Sequence, residues 1–371
     1  MRAETLAWWE SKIRVLATSL SPHSVVSMYS SGRQDFLKKF AAEQSSGSYH
    51  PPPALARMLW GITFLSPIMN AAGMWKDGQG YEIVAAQGPA AFHQGTTTWL
   101  GRRGNKKKNI YLPFVPYPNS GAASNWLGLP GAPDASVAAR TQGRARMNSV
   151  PVGHSLMASP DLNGQEKLER LVDGMRLYND AGVDFLEINE SCPNTAHGRP
   201  QDDDLYNRLK FVKERFLDRR ERRIPVIVKF STDTPVAQVP QLLDLLFELG
   251  FDGANFGNTS TDYAKRRKAI SAREHALFDY FTSTFGGGVS GRPLKESSLE
   301  LCSRAVEYLR RGPPSQEFHV IRTGGIEGAE DIRESERIGV QLSQWFTGYW
   351  QLFARHGHHV YAELYKELLK K

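Results

Sequence analysis

The sequence has few cysteines and lacks any long hydrophobic run. Cys192 and Cys302 are the only two cysteines in 371 residues, too few for a disulfide framework, so a reducing, cytoplasmic compartment is expected. No signal peptide is expected, because charged residues interrupt the first twelve positions. The uncharged stretch 111–133 contains five prolines. It therefore predicts loops rather than a membrane span, which needs ~20 mainly apolar residues.

Several catalytic signatures are also missing. No carboxylates are paired for glycoside hydrolysis, no His, Asp and Glu cluster has metal-ligand spacing, and no G-x-x-x-x-G-K-S/T loop occurs. A metal hydrolase or a nucleoside-triphosphate enzyme is therefore disfavoured, and no metal site is predicted. The formal net charge of +7 is spread over separate basic clusters with few aromatics among them. These clusters predict a solvated surface, so no nucleic-acid partner is expected.

The first 55 residues differ in pattern from the rest of the chain. One apolar stripe at helical spacing is formed by Leu6, Trp9, Ile13 and Leu16. A second, short helix is predicted around 36–41, and the Ser/Gly/Pro stretch 45–53 marks a boundary. We expect a helical extension over 1–55 that packs on its own protein. Two adjacent tryptophans with a basic flank leave contact with a membrane surface open.

Beyond the boundary, over 56–371, short apolar runs alternate with helical patterns. The runs with strand character are 68–72, 91–98, 150–157, 185–191, 224–230, 253–260, 319–325 and 341–347. Helical periodicity separates several of them, over 165–181, 205–219 and 239–250. Eight strands alternating with helices predict an α/β fold, a (β/α)8 TIM barrel. In such a barrel the chemistry lies at the carboxyl ends of the strands.

Those strand ends carry amides, hydroxyls, two lysines and one thiol. Glycines follow the last two strands, where the backbone of this fold commonly binds a phosphate group. A phosphorylated cofactor is predicted, since neutral amides dominate the remaining positions. Lys229 either reaches past its strand to solvent or lies beside a group that gains negative charge. Cys192 is either inert filler or a proton acceptor.

These residues also carry a family resemblance. The motifs are INESCPNT (188–195), VKF (228–230), NTS (258–260), GGGVSGRPLK (286–295), TGGI (323–326) and QWFTG (344–348). In this order and spacing, the sequence resembles dihydroorotate dehydrogenase. The resemblance implies a barrel with non-covalent FMN that oxidises dihydroorotate to orotate in de novo pyrimidine biosynthesis.

The resemblance further implies roles for individual residues. Cys192 would be the catalytic base that takes the proton from C5, while C6 passes hydride to flavin N5. The substrate would contact Lys76, Asn125, Asn189, Asn194, Asn258 and Thr259. The cofactor would contact Ala72, Gly73, Lys76, Thr96, Asn189, Lys229, Ser260, Gly288, Gly325, Thr347 and Gly348.

The sequence mixes two branches of that family. A cysteine base is typical of the cytosolic branch, whereas the GGVSGRPL loop and the helical extension resemble the membrane-associated, quinone-using branch. The positions that depart from the family pattern are Trp75, Asn109, His154 and Phe346. Quinone is favoured over fumarate as electron acceptor, and the enzyme is expected in the cytoplasm, with peripheral membrane contact and a homo-oligomer left open. The alternatives are an FMN barrel oxidoreductase acting on another dihydropyrimidine and a non-catalytic flavin-binding barrel.

Overall fold

Eight short parallel strands form the central sheet. In the computed structural model, which describes residues 1–44, 47–191 and 205–370, they are β1 Ile68–Asn70, β2 Phe92–Thr97, β3 Val152–Leu156, β4 Phe185–Asn189, β5 Val226–Phe230, β6 Gly253–Phe256, β7 His319–Thr323 and β8 Leu342–Trp345. Each of the eight predicted runs contains one of these strands. Their Val, Ile and Phe content and burial on both faces are typical of parallel strands covered by helices.

The sheet closes between its first and second strands through one side chain and through backbone hydrogen bonds such as Gly73 N–H to the carbonyl oxygen of Gly95 (2.6 Å). The strand order is β1-β8-β7-β6-β5-β4-β3-β2, which leaves β1 and β2 to meet. The Asn70 side chain joins them, because its Nδ2 donates to the carbonyl oxygen of His93 (2.6 Å) and its Oδ1 accepts from the His93 backbone N–H (3.1 Å). The predicted (β/α)8 barrel is thereby confirmed.

Helices cover the outside of the barrel and one of its ends. The α-helices among the described residues are α1 Ala3–Ala17, α2 Pro22–Ala41, α3 Tyr81–Ala85, α4 Asp134–Thr141, α5 Gly164–Asp180, α6 Leu205–Val212, α7 Val239–Glu248, α8 Tyr263–Arg267, α9 His275–Thr284, α10 Lys295–Arg311, α11 Ala329–Ile338, α12 Thr347–His356 and α13 Val360–Leu369. The predicted helices 165–181 and 239–250 correspond to α5 and α7. The predicted helix 205–219 is α6 followed by a wider π-type turn, Lys213–Leu217.

The barrel interior is apolar at one end and polar at the other. The apolar layer consists of Met69, Phe185, Ile227, Ile321 and Leu342. An antiparallel hairpin, Arg57–Leu59 with Ile62–Phe64, contributes Leu59 and Phe64 to this cluster and closes the amino end of the barrel. Towards the carboxyl ends of the strands, the buried interior residues become polar. The site is therefore confined to the carboxyl end.

Further short strands lie over that carboxyl end. Phe114–Tyr117 pairs with Ala122–Asn125, which pairs in turn with Gly288–Gly291, all antiparallel. A small hairpin, Lys106–Lys107 with Ile110–Tyr111, lies near them in sequence. This three-stranded sheet brings two distant loops, 114–125 and 288–291, to the mouth of the barrel.

The helical extension packs differently from the prediction. Helix α2 spans 20 residues rather than a short segment. Helix α1 buries Ala3 and Ala7, whereas Trp9, Ile13 and Leu16 of the predicted stripe are 54%, 55% and 75% exposed. The expectation that this stripe packs on the protein is therefore wrong. The small alanine side chains let α1 lie close to its support, and the larger apolar side chains point away from it.

Helix α2 is anchored by aromatic packing. Phe40 near its end is fully buried and stacks on Trp75, with ring centroids 4.7 Å apart. Trp350 of α12 meets both rings edge-on. Trp75, which departs from the family pattern, therefore joins the extension to the barrel. Within the described ranges, none of the helices has the length and apolar character needed to cross a membrane.

Candidate active site

One cavity opens at the carboxyl ends of the barrel strands. Its lining includes most of the residues singled out from the sequence: Ala72, Gly73, Lys76, Thr96, Asn125, Asn189, Lys229, Asn258, Thr259, Gly325, Thr347 and Gly348. They come from seven of the eight strand ends and from the small sheet above the barrel. The fold thus brings together side chains that are up to 276 positions apart in the sequence.

Two residues predicted to contact the cofactor do not line this cavity. The Ser260 hydroxyl donates to Asp233 Oδ1 (2.5 Å) and accepts from Arg266 Nε (2.8 Å), so it holds the loop after β6 in place. Gly288 has a spatial role, because a Cβ atom there would lie 2.0 Å from Thr259 Oγ1. Cys192 and Asn194 lie outside the described residues.

Two asparagines form the centre of the amide cluster. Asn258 Nδ2 donates to Asn189 Oδ1 (3.2 Å) and to the carbonyl oxygen of Ser191 (3.1 Å), and Asn189 Nδ2 donates to Thr96 Oγ1 (3.2 Å). Asn258 is fixed from behind, since Thr232 Oγ1 donates to its carbonyl oxygen at 2.7 Å. The amides are therefore held in position and offer donors and acceptors to a polar ring.

The buried lysine of β5 does not reach to solvent. Lys229 is 3% exposed, lines the cavity, and donates from Nζ to Gln344 Oε1 at 3.1 Å. Its Nζ also lies 3.4 Å from Glu187 Oε1. The alternative that Lys229 extends past its strand into water is wrong. A second cation, Lys76, lines the same cavity from the loop after β1.

The far side of the cavity is built from backbone. Gly325 adopts φ +71°, and a Cβ atom there would lie 2.2 Å from Lys295 Cα, so only glycine permits this close approach. Helix α12 begins at Thr347, whose Oγ1 lies 3.0 Å from Ser290 Oγ. The amino end of a ten-residue helix and a glycine loop thus border one space, an arrangement suited to an anion such as phosphate.

The lining also includes an orphaned polar atom. Thr259 Oγ1 is buried without a hydrogen-bond partner among the described residues. A buried hydroxyl without a partner is costly, about 1–3 kcal/mol. Together with the glycine loop, this atom fits a site completed by a bound polar cofactor or substrate.

Three of the four positions that depart from the family pattern do not line the cavity: Trp75, which packs on the extension, and also His154 and Asn109. His154 points out of the barrel, where it stacks on Tyr178 (centroids 3.4 Å apart) and Nε2 lies 2.7 Å from Thr97 Oγ1. Burial, together with the nearby His93, holds the pKa of His154 well below its usual range. Asn109 lies exposed in the hairpin turn with φ +60°. Neither side chain therefore faces the space in which a ligand would lie.

Phe346, in contrast, separates the cavity from an apolar groove. It borders both spaces, as do Phe114 and Thr347, and the groove continues between helices α1 and α2. Arg33 of α2 also borders both, and its guanidinium lies 5.7 Å from the Phe114 ring centroid. No ion pair or hydrogen bond of Arg33 occurs within the described residues. Burial lowers the pKa of Arg33 to about 10, so it stays cationic at neutral pH.

Sequence reasoning missed Arg33, Phe114, Ser290 and Gly291, all of which line the cavity. Ser290 and Gly291 lie within the quoted GGGVSGRPLK motif, so that motif contained the signal. Arg33 lies in a polar, Ser-rich stretch before the predicted second helix, and nothing in the sequence sets it apart. Cys302, the second thiol, is completely buried on α10, and burial raises its pKa to about 12, which makes it an inert core residue.

Fold and cavity define a class: a (β/α)8 barrel whose polar site of amides, lysines and glycines lies at the carboxyl ends of its strands. The chain belongs to the dihydroorotate dehydrogenase family, whose model matches residues 54–370. The resemblance read from the motifs is confirmed, and the chain is an oxidoreductase of that family.

Curated relatives agree with this membership, and solved structures share the fold. A dihydroorotate dehydrogenase (quinone) of Arthrobacter sp. (strain FB24) is 28% identical over 330 residues, covering 86% of this chain and 85% of the relative. One of Mycobacteroides abscessus is 30% identical over 298 residues, covering 80% and 77%. The crystal structure of the Eimeria tenella enzyme in complex with ferulenol has a TM-score of 0.76 at 21% identity, covering 91% and 90%. The latter supports the fold.

Proposed function

We propose that this chain oxidises dihydroorotate to orotate with FMN as cofactor and a quinone as final electron acceptor. The observation that carries the proposal is the shared cavity, in which Asn125, Asn189 and Asn258 face the same space as Lys76 and Lys229. Dihydroorotate is a cyclic ureide with a carboxylate. Amide side chains match the alternating donors and acceptors of such a ring, and a lysine matches its carboxylate.

FMN fits the remaining surface. Gly325, Gly348 and the amino end of α12 would hold its phosphate, and Thr259 Oγ1 supplies a buried hydroxyl that lacks a protein partner. Lys229 would lie beside the part of the ring system that gains negative charge. When bound, FMN accepts the two electrons released by the substrate and passes them to the second substrate.

The protein residues bind the substrate and move one proton. Asn189 and Asn258 orient the ring, and Lys76 neutralises the carboxylate. Cys192 removes the proton from C5 as the hydride leaves C6, so the ring loses two hydrogens and gains a double bond. Cys192 directly follows Ser191, whose carbonyl oxygen accepts a hydrogen bond from Asn258. The amide cluster thus holds the start of the segment that carries the base.

The apolar groove suits a quinone. It leads between α1 and α2 to Phe346 and Arg33 at the edge of the cavity. A quinone ring is apolar with two carbonyl oxygens, so the half-buried guanidinium of Arg33 can donate hydrogen bonds to one of them while Phe114 packs on the ring. This arrangement favours quinone over fumarate, because fumarate is a small dianion and would gain nothing from an apolar channel.

Helices α1 and α2, which line the groove, and the turn between them also carry exposed apolar side chains. Trp8, Trp9 and Leu16 of α1, Leu20 in the following turn and Met28 of α2 are all more than 40% exposed. Soluble proteins seldom expose this many large apolar side chains on one short segment without a partner. We propose that these helices rest on a membrane surface, from which a quinone enters the groove, and that the enzyme is peripheral.

Anaerobic mixing of the FMN-loaded protein with dihydroorotate tests the proposal, with the flavin absorbance near 450 nm as the signal. Bleaching within seconds, followed by reoxidation on addition of a short-chain quinone, is the expected result. Dihydrouracil, which lacks the carboxylate, serves as the matched substrate and should bleach the flavin far more slowly. A protein that stays yellow with both substrates, or that binds no FMN, would contradict the proposed activity.

A further inference from the structure

A carboxylate is buried directly beneath the cavity. Glu187 lies on β4 with its side chain inside the barrel and is 0% exposed. It is not among the residues that line the cavity, and neither its sequence position nor the proposed reaction gives it a role. A buried carboxylate is costly unless its partners compensate, so its surroundings decide its charge.

Four polar side chains from four different strands surround Glu187. Its Oε2 accepts from Asn255 Nδ2 (2.7 Å) and Gln344 Nε2 (2.9 Å), while Oε1 lies 3.4 Å from Lys229 Nζ and 3.3 Å from His93 Nε2. Burial by itself favours the protonated acid, but the Lys229 ammonium, His93 and the donated hydrogen bonds hold the pKa of Glu187 well below its usual range. Glu187 is therefore a carboxylate anion.

Glu187 acts on Lys229 by two routes. One is the direct charge contact at 3.4 Å. The other passes through Gln344, whose Nε2 donates to Glu187 while its Oε1 accepts from Lys229 Nζ at 3.1 Å. The Gln344 amide is thereby held in the one orientation that accepts from the lysine. Lys229 is fixed at the floor of the cavity, and its positive charge is partly offset from below.

We infer that Glu187 is a positioning residue that sets how much positive charge Lys229 presents to bound FMN, and thereby lowers the reduction potential of that FMN. The inference rests on the proposed function, because it requires FMN above Lys229. An isolated ammonium would favour the reduced cofactor, which carries the added negative charge. The adjacent carboxylate weakens this preference, so the electrons are more readily passed on to the acceptor.

The test is the midpoint potential of bound FMN, measured anaerobically against a reference dye in the full-length holoenzyme. Glu187→Gln keeps the shape of the side chain and removes its charge. We expect the affinity for reduced FMN relative to oxidised FMN to rise at least tenfold, which for a two-electron couple is about 30 mV upward. Lys229→Met should shift the potential downward, because it leaves the carboxylate without its partner.

The matched control is Asp252→Asn. Asp252 is another carboxylate with low exposure, at the amino end of the same barrel, where it accepts from the Val226 N–H at 2.9 Å. In Asp252→Asn, the affinity for reduced FMN relative to oxidised FMN should stay within about threefold of the wild-type value. An equal shift in this control would overturn the inference, since the effect would then not depend on the position of the charge.

A second comparison replaces the first if the Glu187→Gln variant fails to fold or to bind FMN. The double variant E187Q/K229M removes both charges together, and buried pairs are often replaced by neutral residues without loss of stability. Its potential should lie above that of Lys229→Met. Equal potentials for these two would overturn the inference. If the wild type binds FMN and is bleached by dihydroorotate, but the potential shifts in neither comparison, the inference alone is overturned. If the wild type binds no FMN, the proposed function is overturned as well.

Discussion

Asn258 Nδ2 lies 3.2 Å from Asn189 Oδ1, and this contact joins two strand ends that are 69 positions apart in the sequence. Each amide fixes the orientation of the other, so the groups that face the cavity are arranged before a ligand arrives. Pre-arranged donors and acceptors need no reorganisation on binding, which is why such contacts matter for affinity and rate.

The amide pair gives the first prediction. Asn258→Ala removes a buried donor and leaves Asn189 Oδ1 partly unsatisfied, so kcat/KM for dihydroorotate should fall about tenfold to a hundredfold, or ~1–3 kcal/mol. Asn189→Ala should cost a similar amount. Because the two residues share one contact, the double variant should lose less than the product of the two effects. Fully multiplicative losses in steady-state assays would show that the pair does not act together.

The second prediction concerns the base. Cys192→Ala should slow flavin reduction by dihydroorotate by about 10²–10⁴-fold, the usual contribution of a positioned general base. FMN binding should be retained. Reduction by the wild type should accelerate as pH rises towards ~8.5, where an ordinary cysteine thiol ionises. Stopped-flow absorbance at 450 nm measures both effects. An unchanged single-turnover rate in the variant would remove Cys192 from the mechanism.

The third prediction concerns the link between cavity and groove. Arg33→Gln removes the cation there and should raise KM for a quinone about tenfold, corresponding to ~1.4 kcal/mol for one charge-assisted hydrogen bond. Flavin reduction by dihydroorotate should be affected far less. Arg33→Lys, which keeps the charge, should recover part of the loss. Equal slowing of both half-reactions would place Arg33 at the cofactor instead of the quinone.

The fourth prediction concerns the exposed face of the extension. The double variant W9S/L16S should bind weakly to anionic lipid vesicles and reduce a long-chain quinone slowly, while reduction of a soluble dye stays the same. Both side chains are exposed, so stability should change by no more than about 0.5 kcal/mol per site. Met58→Ser, at the amino end of the barrel and 64% exposed, is the control. Vesicle binding equal to wild type would leave the face without a membrane role.

The fifth prediction is a pH dependence of stability. Burial raises the pKa of Asp134 from 3.8 to about 6, while Tyr178 donates to its Oδ1 at 3.0 Å. The folded state therefore holds this proton more tightly than the unfolded state, and stability falls as pH rises from about 4 to 6, by ~3 kcal/mol.

Asp134→Asn should remove that loss. The variant should match wild type near pH 4 and exceed it in urea denaturation at pH 8, where the wild type must bury an ionised carboxylate. The measured quantity is the difference in unfolding free energy between variant and wild type. Buried His154 lies nearby and has a lowered pKa, so it destabilises the folded state of both proteins as pH falls below ~6.5, and the difference removes this shared effect. A difference in unfolding free energy that is the same at both pH values would contradict the assigned pKa.

The barrel and its family were predictable from local sequence. Parallel strands that are buried on both faces need apolar side chains on both faces, so they appear in the sequence as short apolar runs. Each of the eight predicted runs contains a strand. The family motifs around Asn189, Asn258 and Gly325 lie next to strand ends, where short loops allow little variation in placement. Twelve of the predicted residues therefore line one cavity, although their roles stay predictions.

Contacts between distant segments were decided only by the tertiary structure. Ser260 and Gly288 lie inside family motifs, yet neither lines the cavity. The Ser260 hydroxyl is hydrogen-bonded to the Asp233–Arg266 ion pair, and the Thr259 side chain fills the space beside Gly288. The apolar stripe of α1 predicts packing, but Ala3 and Ala7 make the close contact and leave Trp9 and Leu16 exposed. Arg33 and Glu187 belong to ordinary local patterns. They gain significance only when folding encloses one between two cavities and places the other 3.4 Å from Lys229, because charge and burial depend on neighbours in space rather than in sequence.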